Sequence, residues 1–198
     1  VTLDGKINPA EWSDAAAVPV REMTGVSINR KQKINGAAHL KHDGKNLYVA
    51  FFCDAPSKRF AHTVRDGNLW EDDSFEFFLY SPARKVKYQF IINSNGVIFD
   101  QKNGQPAWNA GAKAAAFRGR DFWSAEFELS LADIGGFNGN DDWTGNFYIS
   151  SYLDELGSFA WAVPEGYYDS PKSFGKILFR NDPVFAGIRS LGIPNLVF

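Results

Sequence analysis

The chain has 198 residues, with 21 Lys and Arg against 23 Asp and Glu, for a formal net charge of −2. The cations are scattered rather than striped along any segment, which excludes the electrostatic footprint of a nucleic-acid binder. Aromatic residues make up 16% of the chain, more than a core of this size needs, so some rings are expected to face a ligand.

Taken in chain order, Pro9 to Ala17 reads as a short helical turn, and the first strand is expected at Ile34 to Leu40. His42-Asp43-Gly44 has hairpin chemistry and leads into a strand at Leu47 to Asp54. That strand is apolar on both faces, as a central strand of a sandwich is. In Ser74 to Tyr80, Phe75, Phe77 and Leu79 share one side, while Ser74, Glu76, Phe78 and Tyr80 share the other. Tyr88 to Asn93 alternates Tyr88, Phe90 and Ile92 with Gln89, Ile91 and Asn93. The turn Asn93-Ser94-Asn95-Gly96 then gives a hairpin into Val97 to Gln101. Phe122 to Leu129 points Trp123, Ala125 and Phe127 one way and Glu126 and Glu128 the other. Ser130 to Ile134 reads as a short turn, followed by strands at Asn146 to Tyr152 and Lys176 to Phe179.

Short strands punctuated by Gly and Pro predict an all-β fold, an antiparallel β-sandwich of two sheets in the immunoglobulin or jelly-roll manner. One domain is expected over residues 1–179. Residues 180–198 carry Pro183 and Pro194 without a period and read as a tail or a linker.

Cys53, the single cysteine, excludes an internal disulfide and sits in an apolar run that suits a small buried side chain. No apolar stretch approaches the roughly 20 residues that span a bilayer, and the first residues show no basic-then-apolar pattern resembling a signal peptide. A start at Val1 fits either a mature secreted protein or a domain of a longer one, and an extracellular, periplasmic or cell-surface location is expected.

Trp70 is flanked by Asp66-Gly67-Asn68 and Glu71-Asp72-Asp73, polar neighbours that favour an exposed ring. Tyr167 and Tyr168, between Gly166 and Asp169, read as an exposed stacking platform. Trp12 and Trp123 are expected to pack inward and Trp161 to support the loop after it. Trp108 and Trp143 are placed in loops as secondary contacts.

Three stretches together resemble the carbohydrate-binding modules of family 9. They are Leu3-Asp4-Gly5 through Trp12 with Asp43-Gly44-Lys45-Asn46-Leu47-Tyr48, Leu69-Trp70-Glu71-Asp72-Asp73-Ser74-Phe75-Glu76, and Asp169-Ser170-Pro171 through Phe174-Gly175-Lys176. The resemblance spans roughly residues 1–179. It implies a non-catalytic sandwich that clamps a sugar ring between two aromatic side chains, as sugars of cellulose or xylan chains are clamped. It also implies attachment to a secreted glycoside hydrolase, and structural calcium. The physics fits, because the C–H faces of a sugar stack on aromatic rings while its hydroxyls need hydrogen-bond partners. By position, the resemblance makes Trp70 the first ring of the clamp and Tyr168, with Tyr167 beside it, the second. Glu76 and Gln89 become the polar groups that meet hydroxyls, with Asn93 on the same face. Ile91 stands where the family pattern has an Arg, and Glu155 lies near where a second Arg comes from a loop. Calcium would take oxygens from Asp54, Asp66, Asp72, Asp73, Asp141 or Asp142.

Other readings stay open on the residues alone. A sandwich kept as a spacer with a decayed sugar site fits the loss of both Arg positions. Related sandwiches hold haem, for which Met23, His39, His42 and His62 are the candidate axial ligands, while the dispersed His residues offer no zinc spacing. A glycosidase pair would need Glu76 beside Glu126 or Glu128.

Overall fold

The computed structural model describes residues 1–23, 34–137, 142–153 and 156–179, together with the backbone of 186–189. After a one-turn helix α1 (Pro9–Trp12) come β1 (Ala16–Glu22), β2 (Gly36–His42), β3 (Asn46–Cys53), β4 (Ser74–Ser81), β5 (Val86–Asn93) and β6 (Ile98–Lys102). They are followed by β7 (Lys113–Arg118), β8 (Trp123–Ser130), β9 (Trp143–Ser151), β10 (Gly157–Ala160), β11 (Gly175–Phe179) and β12 (Ala186–Arg189).

All pairings are antiparallel, in the order β6-β5-β4-β9-β10-β1-β2-β3-β8-β7, with β11 joining β9 and β12 joining β11. The path folds into two layers, because β1 pairs with β2 through Ala16 to Val20 and then with β10 through Arg21 and Glu22. The layers β1-β2-β3-β8-β7 and β6-β5-β4-β9-β10 form the expected all-β sandwich.

Phe51 on β3, Phe75 on β4 and Trp123 on β8 stack across the interior, with centroids 4.9 Å apart for the first pair and 3.7 Å for Phe75 with Trp123. Each such ring removes about 150–250 Å² from water, so aromatic burial dominates the driving force. Phe77, Phe90, Phe127 and Phe147 extend the same core. The alternation of Phe75, Phe77 and Leu79 with Glu76 and Phe78 therefore points the first set between the layers and the second to the outer face of β4.

Two backbone approaches need glycine. Gly5 has φ +80°, and a Cβ there would lie 2.4 Å from the Ala116 carbonyl carbon. A Cβ on Gly175 would lie 2.0 Å from the Trp161 ring, so this glycine lets the indole cover β11. Trp161 thus supports the end of the final loop, as its position suggests.

Four strands differ from the sequence expectation. β1 lies where a turn is predicted to end, and its Pro19 is a poor strand former in isolation. β7 is Lys-Ala-Ala-Ala-Phe-Arg, with too little side-chain contrast for a period, and β10 spans four residues. Within residues 180–198, β12 pairs Ala186 to Arg189 against Phe179 to Lys176. Trp143 is a correction: it opens β9 fully buried, edge-on to Phe137, instead of standing in a loop as a contact. Trp108 likewise packs on Tyr88 and Phe90, with centroids 5.3 and 6.1 Å away. Cys53 is fully buried, and burial pushes its thiol up to about 12, which leaves it inert.

Candidate functional site

The outer face of β6-β5-β4-β9 carries two adjacent rows of side chains, fixed by the strand register. One row runs Phe99, Ile91, Glu76, Tyr148; the next runs Gln101, Gln89, Phe78, Asn146. Four strands span about 14 Å at the usual spacing, enough for a sugar ring with an aromatic plane on each side. Aromatic side chains rise over both ends of this face.

Trp70 stands on the 3₁₀ turn Leu69–Glu71. Leu69 is fully buried against Ile91 and Phe99, which plants the turn on the sheet and leaves the next side chain outside. The Trp70 indole meets Phe99 edge-on at 5.6 Å and stays about half exposed, at 49%. Its carbonyl accepts the Tyr152 hydroxyl at 3.2 Å.

Tyr168 is 47% exposed, with its ring 5.9 Å from Phe78 and 5.8 Å from Tyr148. Its backbone carbonyl accepts the Tyr148 hydroxyl. Lys87 Nζ donates to the Asp169 carboxylate at 2.6 Å and to the Asp169 carbonyl at 3.0 Å, tying the loop to β5. Tyr167 is 85% exposed.

Between the rings lies a polar relay. Gln101 donates to the Gln89 oxygen, and the Gln89 amide donates to Glu76 Oε1. The Gln89 side chain is also within hydrogen-bonding reach of the Tyr168 hydroxyl. Burial pushes the Glu76 carboxyl up to about 8, opposed by the Gln89 hydrogen bond and by Lys87, and reinforced by Asp169. Burial thus favours the protonated form of Glu76, whose Oε1 accepts from Gln89. Burial and the nearby Glu76 and Asp169 also raise the Tyr168 hydroxyl, which stays a protonated donor.

Asn93 shares the face but its amide is engaged within the chain. It donates to His62 O and Asp72 Oδ2, both at 2.8 Å, and its oxygen accepts from Asn95 and Val97 N–H. Ile91 is buried in an apolar cluster with Leu69 and Phe99 and forms the floor under the Trp70 turn. Glu155 lies outside the described residues. Gln101 and Tyr152 join the site without having been singled out in the sequence. Gln101 was within reach, because pairing the hairpin Tyr88–Gln101 across its Asn-Gly turn puts it opposite Gln89.

The acidic pair Asp72 and Asp73 proves to be loop scaffolding. Asp73 Oδ2 accepts backbone N–H of Lys58 and Arg59 at 2.6 and 2.7 Å, and Oδ1 accepts that of Tyr152 at 2.6 Å. Asp72 accepts the N–H of Ala61 and His62. These carboxylate oxygens are thus held by backbone N–H groups of the chain itself. Asp54 is bonded to Asn35, and Asp142 to Lys176, while Asp141 lies outside the described residues. Asp66 faces Asp100 with the Arg65 guanidinium already there: Arg65 donates to Asp100 at 2.6 Å, to Asn109 at 2.7 Å and to the Ala110 carbonyl at 3.1 Å. An oxygen-lined place of this kind suits a hard cation, and here a side chain supplies the charge.

Two rival arrangements do not assemble. Glu126 and Glu128 face outward from β8 in the opposite layer to β4, so the sandwich stands between them and Glu76; a glycosidase pair flanks one bond at about 5 to 9.5 Å. Glu126 accepts the Trp12 indole N–H, and Glu128 pairs with Lys113. The haem candidates scatter as well: Met23 packs with Phe78 and Tyr148, His39 meets Trp12, His42 meets Phe137 and Phe179, and His62 lies beside Glu71 and Asp72.

The sequence profile described as "Carbohydrate family 9 binding domain-like" matches residues 3–145. No curated protein matches the chain. Among solved structures, a Bacteroides uniformis ATCC 8492 protein provisionally described as carbohydrate-binding is 18% identical, with TM-score 0.71 over 89% of this chain and 93% of its own. A carbohydrate-binding module of family 9 from Caldicellulosiruptor kristjanssonii, solved with glucose, gives TM-score 0.68 at 15% identity over 91% of each chain. A family 9 module from the same organism solved with cellotriose gives TM-score 0.68 at 16% identity over 96% of this chain and 95% of its own. At these identities the structures establish the shared sandwich, and the profile match, which spans most of the chain, establishes kinship: this chain belongs to the carbohydrate family 9 binding domain-like family.

Proposed function

We propose that the face between Trp70 and Tyr168 binds a saccharide ring without changing it chemically. The observation that carries this reading is the pair of half-exposed rings planted over opposite ends of one polar patch, Glu76, Gln89 and Gln101. The rings offer flat apolar surfaces for sugar C–H faces, and the polar patch below, with the Tyr168 hydroxyl, faces the ring hydroxyls. Family 9 modules from Caldicellulosiruptor kristjanssonii, with the same fold, were solved with glucose and with cellotriose, which makes glucose and its β-linked oligomers the first ligands to try.

Such a module concentrates an attached or partner glycoside hydrolase on its polysaccharide, outside the cell or at its surface. Calorimetric titration of glucose, xylose, cellobiose and xylobiose, with tryptophan fluorescence followed in parallel, tests the binding step. Saturable binding that disappears in Trp70→Ala is expected. Flat titrations with folded protein across a broad glycan panel would leave the domain as a structural spacer.

A further inference from the structure

Sugar hydroxyls both donate and accept, so a saccharide site needs free donors as well as acceptors. Most donors on this face are engaged internally. The Gln101 amide goes to Gln89, the Gln89 amide to Glu76, the Lys87 ammonium to Asp169, and the Asn146 amide to Tyr148 and Ala162. Ile91 contributes only apolar surface.

At the Trp70 end a cation stands ready. The Arg59 guanidinium lies 4.7 Å above the Tyr152 ring, and the Tyr152 hydroxyl is bonded to the Trp70 carbonyl. One carboxylate sets this arrangement: Asp73 accepts the backbone N–H of Arg59 on one oxygen and that of Tyr152 on the other. The Asp73 N–H in turn donates to the Arg59 carbonyl at 2.7 Å. The guanidinium is exposed and has no carboxylate partner among the described residues. A guanidinium held over a ring in this way is partly ordered before a ligand arrives and still has N–H donors to offer.

We infer that Arg59, held on Tyr152, is the cationic hydrogen-bond donor of this saccharide site and acts at its Trp70 end; the inference rests on the saccharide reading above. It assigns to the loop before Trp70 the role of recognising hydroxyl oxygens, while Glu76, Gln89 and Gln101 serve the opposite part of the ring.

The test compares wild type, Arg59→Met and Arg59→Lys by calorimetry with glucose and cellobiose, alongside thermal midpoints. Methionine keeps a long side chain over Tyr152 and removes the charge and donors, so a purely packing role for Arg59 would leave affinity intact. At least a tenfold loss of affinity is expected in Arg59→Met, with the thermal midpoint unchanged and partial recovery in Arg59→Lys. Wild-type binding matched by Arg59→Met overturns the inference alone. Wild-type protein that binds neither sugar overturns the saccharide reading for them, and the inference with it.

Discussion

The carboxylate of Glu126 accepts the indole N–H of Trp12 at 2.8 Å, and its second oxygen accepts the backbone N–H of Asp4 and Gly5 at 3.0 and 2.9 Å. Three donors thus converge on one buried acid and pin the opening segment to the outer face of β8. Burial raises this carboxyl, against the pull of those hydrogen bonds. Glu126→Ala leaves three donors without their acceptor and is expected to cost about 3 kcal/mol of stability, read by urea denaturation. Sugar binding at 25 °C should be unchanged, since Glu126 lies on the other layer; a large loss of affinity in the folded variant would argue against the site described above.

Trp70→Ala should separate binding from folding. Half of this indole is already in water and its main side-chain contact is Phe99, so the expected stability loss is below about 1 kcal/mol. Tyr168→Phe keeps the stacking surface and removes a donor, so it is expected to weaken sugar binding about three- to tenfold, against near-complete loss for Tyr168→Ala. Equal affinities for wild type and Tyr168→Ala would remove the second ring from the site.

Glu76 gives the domain a pH dependence of definite sign. Its folded pKa of about 8 lies above the ordinary 4.5, so the folded state holds the proton more tightly than the unfolded chain. The stability this contributes is full below pH 4.5 and is lost as pH rises towards about 8. The groups facing Glu76 include Gln89, Tyr148, Tyr168, Lys87 and Asp169. Glu76→Gln mimics the neutral acid, so its unfolding free energy in urea should pull ahead of wild type between pH 5 and pH 9, by an amount on the order of a few kcal/mol at the upper end. A constant difference across that range would show that Glu76 titrates normally.

Chelation of calcium should leave the thermal midpoint unchanged, because Arg65 supplies the positive charge beside Asp66 and Asp100 and the oxygens of Asp72 and Asp73 hold backbone amides. Arg65→Ala removes the cation from the fully buried Asp100, whose Oδ1 has no partner among the described residues and whose Oδ2 keeps the Ala110 N–H. The expected cost is about 2 kcal/mol, below the usual figure for a broken buried pair because Arg65 is 36% exposed. A midpoint that falls in wild-type protein with EDTA would point to a metal held elsewhere.

The strands with a clear period were legible because one side of the pleat is apolar throughout while the other carries polar side chains among its apolar ones. Phe75, Phe77 and Leu79 against Glu76 is such a case, and the faces of β4, β5 and β8 follow from it. β7 was not, since three consecutive alanines present the same side to both faces. β1 was hidden because a strand shared between layers needs no long alternation. In the site, polar neighbours betrayed the exposure of Trp70, whereas the engagement of Asn93 did not show in the sequence: its partners Asp72 and His62 are 21 and 31 residues away. Arg59 was invisible for the same reason, because Tyr152 is brought to it by the carboxylate of Asp73 across 79 residues.

The passage of β1 from one layer to the other bears on how the protein yields. Five residues of this strand are bonded to one sheet and the last two to the other, so fraying along it strips hydrogen bonds from both at once. Heat or pulling force on either layer is therefore expected to load its neighbour through this strand, so that the domain unfolds as one cooperative unit.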